Sequence, residues 1–133
     1  MGLGLEGVYM SGDGVILPVV RKSNLLIESI CKATTNEKRV VIMGASKVRK
    51  DDPVGKTYSF HLSEIKKYSG VQSKRFYKDL AEAIVSIKRR DLWLKQESGR
   101  FELTNWFSWI DYDEKTLTLK FRFDQSVHEF LTV

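Results

Sequence analysis

Residues 62–90 read LSEIKKYSGVQSKRFYKDLAEAIVSIKRR, and this stretch decides the fold. A short helical pattern over residues 62–68 ends at Gly70, the residue type that most easily adopts the left-handed conformation after a helix. Ser73 can then cap a second, longer helix. The apolar residues of that helix recur at spacings of four, four and three: Phe76, Leu80, Ile84 and Ile87. This arrangement predicts a helix-turn-helix.

β-Structure is predicted directly after this motif. Residues 92–96 have the alternating pattern of a strand. Ser98-Gly99 then marks a tight turn, and a strand region from Phe101 to Tyr112 follows it. After a second turn at residues 113–115, every second residue is apolar: Leu117, Leu119, Phe121 and Phe123. A further helix is indicated over residues 127–131. A helix-turn-helix followed by an antiparallel hairpin is the layout of a winged helix.

Two helices and a short strand are predicted ahead of the motif. The first helix runs from Ser23 to Lys32. The second begins with a capping box, in which Thr34 and Glu37 each satisfy the other's free backbone N–H. Gly44 destabilises this helix by about 1 kcal/mol relative to alanine, and a strand follows near residues 57–60. The sequence therefore predicts an α+β winged-helix domain over residues 20–133, with two additional N-terminal helices.

Residues 1–19 are predicted to be an irregular leader, because five glycines interrupt the first 20 residues. Gly2, Gly4 and Gly7 spell the G-x-G-x-x-G pattern of dinucleotide sites. That pattern requires a strand before it and a helix opening behind it. Since nothing lies upstream that could form the strand, we expect no dinucleotide site here.

The composition is that of one globular domain, with 133 residues, 42% hydrophobic and 29% charged. Such a length can bury a core without disulfides or metals. The single cysteine, Cys31, excludes an intramolecular disulfide, and its apolar neighbours predict that it is buried. No run approaches the roughly 18–20 apolar residues of a membrane span. We therefore expect a cytoplasmic protein without a membrane partner.

The net charge of +5 favours a polyanionic partner, and the charge is unevenly distributed. Residues 61–100 hold ten Lys/Arg against five Asp/Glu, whereas residues 101–133 hold three against six. The outward face of the longer helix carries six basic residues: Lys74, Arg75, Lys78, Lys88, Arg89 and Arg90.

In helix-turn-helix proteins, the first residues of the second helix contact base edges in the major groove. The residues expected there are Lys74, Arg75, Tyr77 and Lys78. Lys95 and Arg100 flank the predicted wing turn, where contact with phosphate is expected. A helix face that contacts only solvent would show the same spacing of basic residues.

Three tryptophans and a phenylalanine cluster in the predicted sheet: Trp93, Trp106, Phe107 and Trp109. They are compatible with a stacking platform for single strands, with core packing, or with an association surface. Because Trp106 and Phe107 are adjacent in the predicted strand, we expect them on opposite faces of the sheet.

Catalytic chemistry is not expected from these residues. The two histidines, His61 and His128, have no metal-ligand spacing to each other or to Cys31. Neither a phosphate-binding lysine motif nor a nucleophile elbow occurs. The sequence therefore predicts neither an enzyme nor a metal or cofactor site.

The ordered set of motifs resembles the iteron-binding plasmid replication initiators. Residues 20–29, VRKSNLLIES, are similar to the family's K-x-N-x-L-I-x-A helix, and residues 34–39 to its T-x-x-E-x-R helix. Residues 73–80, SKRFYKDL, resemble the start of its recognition helix, and residues 101–123 its closing hairpin. The resemblance covers residues 18–131, whereas the glycine-rich leader and Gly44 depart from the family pattern.

The resemblance implies that this is the first of two related winged-helix domains, of which the second is absent from the chain. It implies binding to double-stranded DNA at plasmid origin repeats, a homodimer in the self-repressing form, and contacts with host replication proteins. DNA contacts would fall on Ser73, Lys74, Arg75 and Lys78. Dimer contacts would fall on the sheet, at Trp106, Trp109 and Phe121.

Two other functions share the same features. A winged-helix transcription regulator would have the same fold and basic helix without the two leading helices in this form. A pure dimerisation or assembly domain would have its charges solvated and make no DNA contact.

Overall fold

The computed structural model describes residues 5–10, 16–20, 29–95 and 98–132. Its helices are α1 (Thr35–Ala45), α2 (Ser63–Ser69), α3 (Phe76–Arg89) and α4 (Gln125–Leu131). Its strands are β1 (Leu5–Met10), β2 (Ile16–Val20), β3 (Tyr58–His61), β4 (Asp91–Lys95), β5 (Phe101–Asn105), β6 (Phe107–Asp113) and β7 (Thr118–Phe123). None of the helices in these ranges has the length and hydrophobicity that a membrane crossing requires.

The helix-turn-helix consists of α2 and α3, as the sequence predicted. Gly70 ends α2 in the left-handed conformation, with φ of 69°, and its N–H donates to the carbonyl oxygen of Lys66. The apolar stripe of α3 is buried, with Leu80 and Ile87 fully inaccessible. Burial of each such side chain contributes about 1.5–3 kcal/mol. This stripe fixes which face of α3 is turned to solvent.

Ser73 does not cap α3 as predicted. The helix begins at Phe76, and the hydroxyl of Ser73 instead accepts a hydrogen bond from the backbone N–H of Arg75. The backbone carbonyl of Ser73 accepts from Phe76. The extra turn at residues 74 and 75 therefore moves the start of the helix beyond the reach of the serine as a cap.

Two antiparallel sheets follow from the alternating sequence. The hairpin β4–β5 pairs Trp93 with Leu103 and comes directly after α3, which makes it the wing. A separate three-stranded sheet has the order β3-β7-β6, with Phe121 in the central strand paired to Tyr58 on one side and Ile110 on the other. Leu119, Phe121 and Phe123 of β7 are buried, as the strict alternation predicted, whereas Leu117 lies in the turn before the strand with φ of 55° and is half-buried.

Trp106 lies at a bend, which corrects the prediction of one continuous strand. β5 ends at Asn105 and β6 begins at Phe107, so the chain passes from one sheet to the other at this tryptophan. Trp106 and Phe107 are both buried, because strand alternation does not apply across the bend. The carbonyl of Trp106 accepts from the N–H of Asp124, which joins the bend to the start of α4.

Helix α1 packs against α3 and carries the predicted capping box. Glu37 N–H donates to the Thr34 hydroxyl, and Thr34 N–H donates to the Glu37 carboxylate at 2.8 Å. Gly44 is explained by close approach: a Cβ there would lie 3.1 Å from two ring carbons of Phe121 and 3.3 Å from Phe123. The glycine therefore lets α1 sit directly on the aromatic core of the three-stranded sheet.

The segment before β3 is tied to α4 by hydrogen bonds around Asp52. Its carboxylate accepts from Arg49 N–H at 2.8 Å, Lys56 Nζ at 3.0 Å and the Tyr58 hydroxyl at 2.8 Å. These bonds, led by that from Arg49, lower the pKa of Asp52 to about 2. The carbonyl oxygen of Asp52 lies 3.0 Å from Nε2 of His128, which is buried in α4.

The N-terminal region differs from the prediction. The stretch expected to be irregular contains β1 and β2, which pair antiparallel with a register shift between Leu5 and Gly7. A glycine within a strand commonly marks such a bulge, so it did not exclude a strand here. Residues 29–31 are helical, as predicted for Ser23 to Lys32, whereas residues 21–28 lie outside the described residues. Cys31 is exposed, not buried, because Ile30 and Ala33 occupy the inward positions beside it.

Candidate nucleic-acid interface

The turn before α3 and its first residues form an exposed basic surface. Lys74, Arg75 and Lys78 are all exposed, and so is Ser73 beside them. Tyr77 is only half-buried, and Nζ of Lys66 from α2 lies 5.3 Å from the centre of its ring. The helix-turn-helix therefore brings cations from both of its helices to one side.

Acidic residues interrupt this surface. Arg75 Nε lies 3.6 Å from Oδ1 of Asp79, and its Nη2 lies 3.9 Å from Oε1 of Glu82. Successive helical residues are rotated by about 100°, which places Lys78, Glu82, Val85 and Arg89 along the solvent-facing stripe opposite the buried residues of α3. The outward face of α3 thus carries acidic residues beside the basic residues that the sequence placed there.

Arg90, which the sequence placed on the basic face, is held at a buried carboxylate. Its Nη2 and Nε donate to Glu37 at 2.9 and 3.2 Å, and the Ser86 hydroxyl donates at 2.8 Å. Burial opposes ionisation of Glu37, but these bonds and that from the Thr34 N–H together lower its pKa. The side chain of Asn105 donates to the carbonyl of Arg90. This cluster joins α1, α3 and the β4–β5 hairpin.

The hairpin has one buried and one exposed apolar face. Leu92 and Leu94 are buried, whereas Trp93, Phe101 and Leu103 are each about half exposed. The rings of Trp93 and Phe101 stack with centroids 5.1 Å apart. We call these three exposed residues the hairpin patch.

Comparison with known proteins identifies the family. The profile described as "Initiator Replication protein, WH1" matches residues 19–133. The chain belongs to this family. The resemblance to plasmid replication initiators inferred from the sequence is therefore confirmed. No curated protein sequence matches the chain.

Two solved structures share the fold of this WH1 domain. One is the WH1 domain of MSBI1.176, a replication protein isolated from a multiple sclerosis patient, with a TM-score of 0.61 and 22% identity over 84% of this chain and 89% of that one. The other is the Pi initiator protein in complex with iteron DNA, with a TM-score of 0.70 and 16% identity over 83% of this chain. The match covers 48% of the Pi chain, so the WH1 domain spans about half its length. The winged-helix prediction is thereby confirmed.

Of the two predicted wing residues of this WH1 domain, the structure describes the side chain of one. Arg100 is exposed, and its N–H donates to the hydroxyl of Ser98 in the wing turn, where Gly99 has φ of 87°. Lys95 is the last residue of β4, and its side chain lies outside what the structure describes, as do residues 96 and 97.

The predicted dimer residues need correction. Phe121 is fully buried among Tyr58, Phe60, Phe107 and Phe123, and Trp106 is buried at the bend between the sheets. Neither side chain is available to a second copy, because both belong to the core of this domain. Trp109 is half-buried, with the Arg122 guanidinium 4.7 Å from its ring centre.

Several exposed residues were missed by the sequence reasoning. Tyr68, near the end of α2, is largely exposed beside the turn, and Glu82 and Val85 lie on the outward stripe of α3. The signal for the last two was the helical period itself, since they are opposite Leu80 and Ile87. The alternation of Trp93 with Leu92 and Leu94 similarly marked the hairpin patch.

The histidines are not arranged as a metal site. His61 is exposed and its Nδ1 lies 2.7 Å from the Ser63 hydroxyl, whereas His128 is buried against the segment before β3. Within the described residues, no group of three or more His, Cys, Asp or Glu side chains is placed to hold a metal ion.

Proposed function

We propose that this WH1 domain binds double-stranded DNA at plasmid origin repeats as part of a replication initiator. The observation that carries the proposal is the exposed basic surface formed by Lys74, Arg75 and Lys78 at the start of the second helix of a helix-turn-helix. The Pi initiator, which shares the fold, was solved in complex with iteron DNA. The proposed role is binding, without catalytic chemistry.

We assign different DNA contacts to different parts of the surface, according to the chemistry and position of each side chain. Ser73 and Lys74 lie in the turn before α3, where a hydroxyl and an ammonium group suit phosphate oxygens. Arg75 has a planar guanidinium, which suits the two acceptors of guanine in the major groove. Arg100 lies in the wing turn, where it would contact the DNA backbone, and Lys95 at the end of β4 would do the same from the other side of the turn.

A salt series with a labelled duplex tests this proposal. The slope of log K against log salt is negative, and the loss of each phosphate contact makes its magnitude smaller by about 0.9. We therefore expect the double variant Lys74→Ala/Lys78→Ala to bind more weakly than the wild type, with a slope smaller by about 2. Fluorescence anisotropy between about 50 and 200 mM salt measures both quantities.

The control removes the same charge elsewhere. Lys115 and Lys120 are exposed lysines in the β6–β7 turn and in β7. The variant Lys115→Ala/Lys120→Ala should keep the slope of the wild type. Equal losses in the two double variants would mean that net charge, and not α3, determines binding.

We further propose that the domain forms a homodimer through the hairpin patch. Trp93, Phe101 and Leu103 place three large apolar side chains on the solvent face of one two-stranded sheet, and tryptophan and phenylalanine are enriched at protein interfaces. A dimer would present two α3 helices to one duplex, which is the form expected to repress the initiator's own promoter.

Sedimentation equilibrium tests the dimer with matched variants. Leu103→Asp places a charge in the patch, and Val54→Asp places one at a similarly exposed apolar residue outside it, since the two side chains are 54% and 52% exposed. We expect Leu103→Asp to shift the domain to monomer and Val54→Asp to leave association unchanged. Association that survives Leu103→Asp in a folded protein, checked by circular dichroism, would exclude the patch as the interface.

A further inference from the structure

Glu82 occupies an unusual place for an acidic residue if α3 approaches DNA. It lies one turn beyond Lys78 on the outward stripe, and its side chain is largely exposed. A carboxylate facing a duplex is repelled by the phosphates. Such a residue therefore weakens binding unless the duplex offers it a hydrogen-bond donor.

Stabilisation of the helix does not account for Glu82. Its described ion pair, with Nη2 of Arg75, is 3.9 Å long, and both side chains are mostly exposed. Exposed pairs of this kind contribute little stability. Arg75 also has a closer partner in Asp79, whose Oδ1 lies 3.6 Å from Nε.

The neighbours of Glu82 on the stripe have the chemistry of a base-reading surface. Asp79 lies 3.6 Å from Nε of Arg75 and Glu82 lies 3.9 Å from its Nη2, so a guanidinium group and a carboxylate are side by side on the face proposed to contact bases. Val85, about half exposed on the same stripe, offers an apolar contact of the kind that the thymine methyl group makes.

We propose that Glu82 is a specificity-determining residue that accepts a hydrogen bond from the N4 amino group of cytosine in the major groove. Cytosine presents that donor at the groove edge, and carboxylates are the side chains that accept from it. On other base pairs the carboxylate remains unpaired and repelled, so that Glu82 lowers affinity for non-matching duplexes. This inference rests on the proposed DNA binding by α3.

Selection of duplexes from a random library tests the inference. Wild-type protein and Glu82→Gln are each used to enrich sequences, and the enriched and random duplexes are then titrated at one salt concentration. We expect the wild type to enrich a motif with a cytosine that Glu82→Gln no longer requires. At that position, the wild type should discriminate by about fivefold to 150-fold, since one mismatched base pair typically costs about 1–3 kcal/mol.

Glu82→Gln should also bind random duplex more tightly than the wild type. The control variant Glu114→Gln changes the net charge equally at an exposed residue of the β6–β7 turn, and it should keep the wild-type motif. An unchanged motif and an unchanged ratio of enriched to random affinity in Glu82→Gln would overturn the inference. An absence of any motif for the wild type, with salt-dependent binding retained, would overturn it too and leave the DNA-binding proposal standing. Only a wild type that binds no duplex would contradict both.

Discussion

Removal of the Arg90 side chain should destabilise the domain far more than neutralisation of its partner Glu37. The carboxylate of Glu37 is 1% exposed, whereas the side chain of Arg90 is 39% exposed. In Arg90→Met, the buried carboxylate keeps the Thr34 N–H and the Ser86 hydroxyl but loses both guanidinium hydrogen bonds. An uncompensated buried charge lowers the free energy of unfolding by about 3–5 kcal/mol.

Neutralisation of Glu37 destabilises the domain less, because the Arg90 guanidinium that loses its charged partner can be hydrated. In Glu37→Gln, the amide oxygen can still accept from Thr34, and the guanidinium is partly in water already. We expect a loss of about 1.5 kcal/mol, the lower end of the range for a lost hydrogen bond to a charged group, because the guanidinium is already partly hydrated. Urea unfolding followed by circular dichroism measures both variants and their double mutant, which should lose less than the sum of the two single losses.

The pH dependence provides an independent check. The pKa of Glu37 in the folded state lies below its usual value of 4.5. Ionised Glu37 therefore stabilises the fold above pH 4.5, and this stabilisation is lost as the pH falls through the lower pKa of the folded state. In Arg90→Met, burial raises the pKa instead, and the protonated form stabilises the variant at acidic pH. The difference in free energy of unfolding between the wild type and Arg90→Met should therefore become smaller from neutral pH toward about pH 4. Equal costs of the two single changes, or a gap independent of pH, would refute this reasoning.

Three further changes test the packing of the core and the segment that precedes β3. Gly44→Ala should not raise the free energy of unfolding by the about 1 kcal/mol that helix propensity alone predicts, because the new methyl meets Phe121 at 3.1 Å and overpacking costs about 1–3 kcal/mol; urea unfolding measures this. Phe121→Ala should cost about 3–5 kcal/mol in the same assay, whereas a surface residue would change little. Tyr58→Phe should raise the pKa of Asp52 from about 2 toward 3.8, since one of its hydrogen bonds is lost; carboxyl NMR titration measures the shift, and an unchanged pKa would contradict the assigned contact.

The helix-turn-helix could be predicted because local signals agreed with the tertiary fold. Gly70 ends α2, and the four-four-three spacing that begins at Phe76 marks the buried stripe of α3. The capping box of Thr34 and Glu37 is equally local. In each case, the decisive interaction joins residues within a few positions of one another.

The errors concern contacts between residues distant in sequence. Trp106 had the pattern of a strand residue, but the chain changes sheets there, and only the packing of β5 and β6 reveals this. Phe121 was assigned to a dimer surface because the family resemblance implied dimer contacts on the sheet. The three-dimensional structure shows that α1 and the neighbouring strands cover it. Gly44, similarly, has no explanation until Phe121 is placed against it.

Glu37 shows a second limit of the sequence, because a local role concealed a long-range one. Its place in the capping box was evident, but its partners Ser86 and Arg90 lie 49 and 53 residues away. Arg90 accordingly looked like one more cation on the basic face of α3. No pattern in a single sequence distinguishes an arginine in solvent from one that pairs with a buried carboxylate.

The same ion pair determines how the two candidate surfaces are presented. α3 ends at Arg89 and β4 begins at Asp91, so Arg90 alone separates the helix proposed to contact DNA from the hairpin proposed to mediate dimerisation. Its guanidinium is fixed on α1 and its carbonyl on Asn105 of β5. Apolar side chains in place of Glu37 and Arg90 could stabilise the fold equally. They would lack the directional hydrogen bonds that fix the angle between α3 and the hairpin. The pair of Arg90 and Glu37 therefore fixes the position of the β4–β5 hairpin relative to α3, although neither residue belongs to either proposed surface.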